Sequence, residues 1–413
     1  MIFLLTNFFA YRIANIGIFW ESRKSIFVYV QNKSTTNAVF PIQAPQSMRI
    51  LHLAIENFAG IPMRLVKEER RLGHDSRLIT LLSPMQNYEE DIALRLPALN
   101  APFVPLLRKI IRAGNTPSII NKRHEGAVKY WQPANMLDAA LFRLRDWYWQ
   151  ASIHAALEQI GGLESFDLIF ADGGHDFTRF PQLLAQTSVP IVSMYYGSDM
   201  RTRGIIAGVQ EKARATFTFE HDHTLLFPEA QFLFYPYEAP VYAPSRSYLP
   251  PQEGETLRIG HAPTNRAAKG TDLILAALES LRDEFSERYS LEIVLIEKLP
   301  HRQAMAAKAS CHVFIDSIGE IGYGVNSIES LLMGIPTAVE IMPDFALFLQ
   351  EQCKGETHPF WNIRRATLRE DIRALLLAQD KWSSMGQYGA AWAARYHSVE
   401  SVVARYALCT IIQ

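Results

Sequence analysis

The chain has 413 residues, of which 48% are hydrophobic and 20% charged, and its formal net charge is −1. This composition is that of a globular protein with room for two or three domains, and it excludes a disordered chain or a multispan membrane protein. A net charge near zero gives no support to nucleic-acid binding. The cysteines are few and widely spaced, which indicates ordinary thiols in a reducing compartment; they are Cys311, Cys353 and Cys409.

Residues 1–47 differ from the rest of the chain. The stretch 1–20 is rich in Phe, Ile and Leu, but Arg12 interrupts it, and a central Arg costs about 2.5–3.5 kcal/mol on membrane-insertion scales. The stretch also lacks the basic leader and small-residue cleavage site of a signal peptide. We expect an extension outside the fold, and the alternatives are a peripheral membrane anchor and a true membrane span.

From Met48 onward, short apolar runs alternate with helical patterns. Strands are expected at 50–55, 76–82, 166–171 and 189–194, and a helix from about Met63 to Leu72. This alternation predicts a mostly parallel, doubly wound sheet within residues 48–236.

A proline-rich segment without periodicity, 237–256, is predicted to be a linker. The alternation then restarts and predicts a second α/β domain over 257–395, followed by a C-terminal helix at 396–413. The expected strands are 257–261, 291–299, 312–318 and 335–341. Three helices are expected, one that ends at 285, one at 302–309 and one at 326–333.

Two stretches of the second domain indicate a phosphate site. In the first, a strand at 258–261 leads to a loop with Arg266 and Lys269 and then to a helix starting at Thr271. Free backbone N–H groups, the positive end of a helix and two cations all suit a phosphate group. The second stretch is the glycine-rich turn and helix start Gly322-Tyr323-Gly324-Val325-Asn326-Ser327-Ile328-Glu329.

Together these stretches resemble the donor-nucleotide half of the GT-B glycosyltransferases, specifically the large retaining group-1 family. The resemblance covers residues 48–413 and implies two doubly wound Rossmann-like domains that face each other across a cleft. It implies an N-terminal acceptor domain, a C-terminal donor domain and a last helix that packs back on the first domain.

The implied activity is transfer of a sugar from a nucleotide-activated donor, with retention of configuration. The acceptor would be a glycan, a lipid-linked sugar or a small molecule, in cell-surface polysaccharide or glycoconjugate synthesis. The expected location is the cytoplasm, with or without peripheral contact at the inner membrane face. No metal and no cofactor beyond the nucleotide-sugar co-substrate is expected.

On the donor side, the resemblance implies that Lys269 and Arg266 neutralise the departing diphosphate. Glu329 falls at the second glutamate of the family's Glu-x7-Glu motif and would hold the ribose, although the spacing Asn326-x-x-Glu329 also fits a helix-capping pair. The first motif glutamate is replaced by Ile321, so altered sugar contacts are expected. The remaining predicted donor-binding residues are Gly322, Tyr323, Gly324, Val325 and Asn326.

On the acceptor side, the resemblance places a glycine-containing loop at Gly60 and Ile61, although a lone glycine also fits a tight turn. Asp172 and His175 lie on a glycine-rich loop after a strand, where they could orient an acceptor hydroxyl or accept its proton. The alternative is a polar turn.

The run Tyr196-Gly197-Ser198-Asp199-Met200-Arg201 resembles the family's His-Gly-Ser-Asp-x-Arg loop, with Tyr196 in place of the histidine. It assigns Asp199 and Arg201 to the acceptor, and helix capping is the alternative for Asp199.

The stretch 106–149 is basic, and its helix-like apolar face suits either an anionic membrane or an ordinary solvated surface. Two further functions stay open. One is a GT-B epimerase that acts on a nucleotide sugar, and the other is a non-catalytic GT-B protein that binds a nucleotide sugar or a partner enzyme.

Overall fold

The structure is a computed structural model. It describes residues 10–13, 16–22, 25–30, 38–43, 47–82, 88–96, 128–197, 199–238, 251–319 and 322–411, with side chains from 47 to 407. Chain contacts divide the protein into two units, Met1–Met48 and Arg49–Gln413. Most of the predicted linker (239–250), half of the basic stretch (106–127), Ser198 and Ile321 lie outside the described residues.

The N-terminal unit contains a four-stranded antiparallel sheet in which neighbouring strands follow one another along the chain. Its strands are β1 (Ala10–Ile13), β2 (Ile16–Ser22), β3 (Ser25–Val30) and β4 (Ala38–Gln43).

The larger unit begins with a seven-stranded sheet whose paired strands are all parallel. Its strands are β5 (Arg49–Ala54), β6 (Asp75–Thr80), β7 (Ile92–Ala93), β8 (Leu168–Asp172), β9 (Ile191–Tyr195), β10 (Ala213–Thr218) and β11 (Gln231–Phe232). The order across the sheet is β11-β10-β9-β8-β5-β6-β7. The chain therefore starts in the interior of the sheet and winds outward in both directions, as the alternating pattern predicts.

The helices of this N-terminal half are α1 (Ile61–Arg71), α2 (Met136–Gln159), α3 (Ala207–Gln210) and α4 (His221–Leu226). Helix α1 begins after Gly60, whose φ of 73° suits glycine, and has Pro62 in its first turn. Helix α2 begins where the Asn135 side chain accepts a hydrogen bond from the Asp138 amide. The core between sheet and helices contains Leu51, Leu53, Ile169 and Ile191, all fully buried.

The second sheet has five strands, again parallel in every pair. They are β12 (Thr256–His261), β13 (Ser290–Leu295), β14 (Val313–Ile315), β15 (Thr337–Val339) and β16 (Trp361–Asn362), in the order β13-β12-β14-β15-β16. The helices of this C-terminal half are α5 (Arg266–Lys269), α6 (Thr271–Phe285), α7 (His301–Ala309), α8 (Val325–Leu332), α9 (Pro343–Gln352), α10 (Leu368–Leu377), α11 (Gln379–Tyr396) and α12 (Val399–Ile411). The predicted fold class, two doubly wound α/β sheets, is confirmed.

The last helix returns to the N-terminal half. Helix α12 packs against α1 and β10, and the Tyr406 hydroxyl donates a 2.5 Å hydrogen bond to Glu69 on α1. The chain also crosses between the halves at Tyr237, whose amide donates to the carbonyl of His397. In the part of the chain that the structure describes, no helix is both long and apolar enough to cross a membrane.

Candidate functional site

Lys269 lies at the carboxyl edge of the second sheet, where Asp316 connects its ammonium to the glycine-containing turn at 322–324, the predicted donor loop. Its Nζ donates a 2.6 Å hydrogen bond to Asp316 Oδ1. The other oxygen of Asp316 accepts from Ser327 Oγ at 2.5 Å and from the Gly324 amide at 3.3 Å. One fully buried carboxylate therefore ties the lysine to the start of α8. Burial acts to raise the pKa of Asp316, but the charge of Lys269 and these hydrogen bonds hold it below the usual value.

The donor loop requires its glycines. Gly322 has a φ of 92°, and a Cβ there would overlap the Phe345 ring. A Cβ on Gly324 would lie 3.8 Å from Lys269 Nζ, and the lysine side chain is 17% exposed. The ammonium and the start of α8 are therefore neighbours, and their shared role toward a phosphate stays a prediction.

Tyr323 and Asn326 hold this loop through contacts with other segments of the chain. Tyr323 is buried, and its hydroxyl lies 3.3 Å from His397 Nε2. Asn326 donates through its side-chain amide to the carbonyl of Ala262, at 3.0 Å. Val325 is the first residue of α8. Backbone N–H groups at this helix end are therefore held in place by both neighbouring segments.

Arg266 is placed differently from Lys269. The helix predicted from Thr271 is present, but the segment predicted to be a loop before it forms a short helix, α5, capped by the Asn265 side chain. The Arg266 guanidinium forms two hydrogen bonds to Glu297, at 2.8 and 2.7 Å, and is 48% exposed. The two cations thus have different anionic partners, and Arg266 would have to leave Glu297 to reach a shared phosphate.

Glu329 is 5% exposed and receives three hydrogen bonds. Tyr237 donates to Oε1 at 2.8 Å, His301 Nε2 lies 3.0 Å from the same oxygen, and the Lys308 ammonium contacts Oε2. Burial acts to raise the pKa of Glu329, but the Lys308 charge and the hydrogen bonds outweigh it and lower that pKa to about 2. The carboxylate is therefore ionised at neutral pH.

The N-terminal half reaches this carboxylate through aromatic side chains. The Arg64 guanidinium lies over the Tyr237 ring, 4.4 Å from its centre, and the Tyr88 ring packs against His301. A Cβ on Gly60 would lie 3.2 Å from Tyr88. The predicted acceptor loop thus comes close to the donor-side glutamate. Ile61, by contrast, is fully buried, so its side chain belongs to the core.

Asp172 belongs to a buried network at the end of β8. His52 Nδ1 lies 2.9 Å from Asp172 Oδ2, and His52 Nε2 lies 3.2 Å from Glu69. The Tyr196 hydroxyl donates to the remaining oxygen of Asp172. Burial alone would lower the pKa of His52, but the charges of Glu69 and Asp172 raise it to about 10. Both oxygens of Asp172 thus accept hydrogen bonds within the protein, and the residue is 2% exposed. Its contact with an acceptor hydroxyl stays a prediction.

His175 is more exposed than Asp172 and lies beside arginines. The Arg179 guanidinium is 3.2 Å from His175 Nδ1. Because a guanidinium only donates, Nδ1 accepts and the proton of the neutral ring lies on Nε2. Burial and the charges of Arg203, Arg179 and Arg145 lower the pKa of His175 well below its usual value. The imidazole can therefore donate from Nε2 but is a poor proton acceptor.

Asp199 and Arg201 are both engaged within the protein. Asp199 accepts hydrogen bonds from the amides of Tyr196, Gly197 and Met200, which fix its own turn and are not the helix-capping bonds weighed for it. Arg201 pairs with two carboxylates, Glu220 and Asp222, at 2.6 and 2.5 Å. Their roles toward an acceptor stay predictions.

No protein-family model matches this chain, and no curated protein matches its sequence. Solved structures of similar fold include sucrose-phosphate synthase from Thermosynechococcus elongatus, with 10% identity, a TM-score of 0.51, and 88% of this chain and 98% of that chain covered. A glycosyltransferase from Rickettsia africae has 11% identity and a TM-score of 0.50 over the same shares. Anabaena HepE, in complex with UDP and glucose, has 11% identity and a TM-score of 0.50 over 88% and 99%.

The chain has the GT-B fold. At these identities the likeness concerns the fold alone, so each site residue of this GT-B protein has to be argued from its own contacts.

Several residues of the candidate site were not predicted. The charged or polar partners of the predicted residues are Asp316, Lys308, Tyr237 and His52, and Glu69 is in turn a partner of His52. Two of them carried a sequence signal, because His52 interrupts an apolar strand and Asp316 directly follows one. The others lie far along the chain from the residues they contact, so no local pattern connects them.

Proposed function

We propose that this GT-B protein is a nucleotide-sugar-dependent glycosyltransferase that retains the anomeric configuration. The observation that carries the proposal is the junction of Lys269, Asp316 and the Gly324 start of α8 at the carboxyl edge of the second sheet. In open α/β sheets ligands bind at this edge. A cation, free amides and a helix N-terminus together suit a diphosphate.

The chemistry follows from where charge develops. When the bond between sugar and phosphate breaks, negative charge grows on the departing diphosphate, and a fixed cation beside it lowers the barrier. The hydrogen bond to Asp316 fixes the Lys269 ammonium in position before a ligand binds. Part of its hydrogen-bonding capacity stays available, because an ammonium has three donors and one goes to Asp316.

Glu329 suits a ribose in the same way. Its two oxygens offer about four acceptor positions, and three are used by Tyr237, His301 and Lys308. One position is left to accept a hydrogen bond from a sugar hydroxyl. The low pKa of Glu329 keeps the accepting carboxylate ionised.

On the acceptor side we infer that His175 donates from Nε2 to an acceptor oxygen and so orients it. The Asp172 carboxylate acts through the Tyr196 hydroxyl that it holds. We place the reaction in the cytoplasm, in cell-surface polysaccharide or glycoconjugate synthesis, with a glycan, lipid-linked or small-molecule acceptor.

The donor side is tested by titrating UDP and a panel of nucleotide sugars into the protein by calorimetry. UDP comes first because the structure of HepE holds UDP and glucose. We expect binding that Lys269→Ala weakens at least tenfold, since a charge-assisted contact is worth about 1.5–3 kcal/mol. The matched control is Lys381→Ala, which removes an exposed lysine from the same half. Absence of binding to every nucleotide would refute the proposal.

Turnover separates the remaining functions. Release of free nucleotide that depends on an added acceptor supports transfer. An epimerised donor would support the epimerase, and tight binding with no turnover would support a non-catalytic binding protein.

A further inference from the structure

Three arginines surround the loop that follows β8, and they are not equivalent. Arg145 on α2 forms two hydrogen bonds to Asp146 Oδ1, at 2.9 and 2.5 Å. Its charge is therefore neutralised by a neighbour. Arg179 and Arg203 have no carboxylate within ion-pair distance among the residues that the structure describes. Two guanidinium charges thus lack a direct counter-ion.

Arg179 is only 6% exposed. One of its terminal nitrogens donates to the Asp176 carbonyl, and the other lies 3.2 Å from His175 Nδ1. Its Nε is buried without a hydrogen-bond partner in the described structure. A buried donor of this kind costs free energy unless something accepts from it.

Arg203 repeats this pattern from the other side of the loop. Its Nη2 donates to the carbonyl of Gly173, and its Nε donates to the carbonyl of Gly204 at 3.0 Å. Its Nη1 is again buried without a partner among the described residues. His175 is near both arginines, because it contacts Arg179 and a Cβ on Gly173, whose carbonyl accepts from Arg203, would be 2.8 Å from the His175 ring.

The nearby acids act on these two arginines without forming ion pairs with them: Asp199 favours the charge of Arg203, and Asp176 and Asp146 favour that of Arg179. Asp146 is used by Arg145 and by the amides of Arg179 and Phe180. Asp176 accepts from two backbone amides, and burial raises its pKa to about 6. Asp199 binds amides of its own turn, as described above, and Asp138 accepts from the Ala134 amide.

We propose that Arg179, Arg203 and His175 bind the phosphate group of a phosphorylated acceptor. Two guanidinium groups without a direct ion pair suit the two charges of a phosphate monoester, and each brings an N–H that has no hydrogen-bond partner in the described part of the chain. The Nε2 proton of His175 supplies a third donor. The site lies at the carboxyl edge of the first sheet, where an acceptor would bind. This assignment of the substrate class rests on the proposed transferase function.

The test compares glucose 6-phosphate with glucose, and both with inorganic phosphate, by thermal shift. The pair of sugars differs only in the phosphate group. Four proteins are compared: the wild type, Arg203→Gln, Lys269→Ala, and the control Arg214→Gln, which removes an exposed arginine from the same half. Lys269→Ala removes the cation of the donor site and so shows whether phosphate binds there instead.

We expect both phosphate compounds, but not glucose, to stabilise the wild type, Lys269→Ala and Arg214→Gln. Arg203→Gln should weaken this binding about tenfold, as loss of one charge-assisted contact predicts. Absence of a shift in the wild type, an unchanged shift in Arg203→Gln, or loss of the shift in Lys269→Ala alone would overturn the proposal. None of these outcomes changes the result expected from the nucleotide titration. Failure of the phosphate site can therefore be distinguished from failure of the transferase function.

If Arg203→Gln does not fold, the wild type itself decides the question. Phenylglyoxal modifies accessible arginines, and peptide mass spectrometry locates the modified residue. We expect 20 mM glucose 6-phosphate, about a saturating level for a weak phosphate site, to protect the peptide with Arg203 and to leave Arg214 reactive. Labelling of Arg203 that is equal with and without the ligand, or absent in both, would contradict the site.

Discussion

The hydroxyl of Tyr237 donates a 2.8 Å hydrogen bond to the Glu329 carboxylate. Tyr237 lies where the chain leaves the N-terminal half, and Glu329 lies on α8 of the C-terminal half. The carboxylate that is predicted to hold the ribose is therefore also a contact between the two halves. Changes on either side of this contact should affect stability and donor binding together.

Replacing Tyr237 by Phe removes this hydrogen bond and keeps the ring under Arg64. We expect a loss of about 1.5–3 kcal/mol in the free energy of unfolding, the usual range for a hydrogen bond to a charged group. Urea denaturation measures it. The control is Tyr388→Phe, whose hydroxyl binds a carbonyl at an exposed position, and it should change stability by less than about 0.5 kcal/mol. Equal effects of the two variants would contradict the role of Tyr237.

Lys308→Met should be more harmful than Tyr237→Phe. Lys308 is 1% exposed and faces Glu329, and removal of one partner of a buried ion pair costs about 3–5 kcal/mol. The double variant Lys308→Met with Glu329→Gln no longer leaves a charge unpaired, so it should recover part of the loss. Additive effects in this double-mutant cycle would show that the two groups do not interact.

Acid should weaken the protein through Glu329. Its folded-state pKa of about 2 lies below the unfolded value of 4.5, so its contribution is complete above pH 4.5 and is lost as the pH falls toward 2. The contribution is about 3 kcal/mol, of which somewhat less than half is lost by pH 3.5. The difference in unfolding free energy between wild type and Glu329→Gln should therefore shrink from pH 6 to pH 3.5. A constant difference would exclude this pKa.

Much of the architecture could be predicted from the sequence. Apolar runs such as Leu51 to Ala54, bounded by glycine-containing turns, determine strands and helices locally, and the predicted bounds agree with the structure within a few residues. The glycines of the donor loop also have a local meaning, because Gly322 needs its positive φ.

The partners of the site residues could not be predicted in the same way. Lys269 and Asp316 are 47 residues apart, and Tyr237 and Glu329 are 92 apart. Such pairs are brought together by the order of strands in the sheet and by the return of the chain between the halves. Ion pairing also redirects side chains, as with Arg266, which turns to Glu297. Sequence patterns locate the loops of this site, whereas the tertiary fold decides which groups remain available to a ligand.

Alkaline pH should destabilise the N-terminal half through His52. Its folded-state pKa of about 10 lies above the usual 6.5, so its contribution is complete below pH 6.5 and is lost as the pH rises toward 10. The imidazolium lies between Glu69 and Asp172, and its deprotonation leaves two buried carboxylates facing a neutral ring. We expect the stability of the wild type to fall between pH 7 and pH 9 relative to His52→Gln. Parallel stability curves for the two proteins would contradict a charged His52.

Gly174→Ala should destabilise the loop after β8 more than a comparable glycine change elsewhere. Gly174 has a φ of 58°, and a Cβ there would overlap the Tyr195 ring. Gly73 also has a positive φ, 98°, but a Cβ there meets nothing within 4 Å. Gly73→Ala should therefore cost only the backbone strain, about 1–2 kcal/mol, whereas Gly174→Ala adds a steric overlap and displaces Tyr195 or the loop with His175. Urea denaturation gives the two free energies, and phosphate-dependent thermal shifts report the position of His175. Equal losses in the two variants would show that the loop has room for a side chain at Gly174.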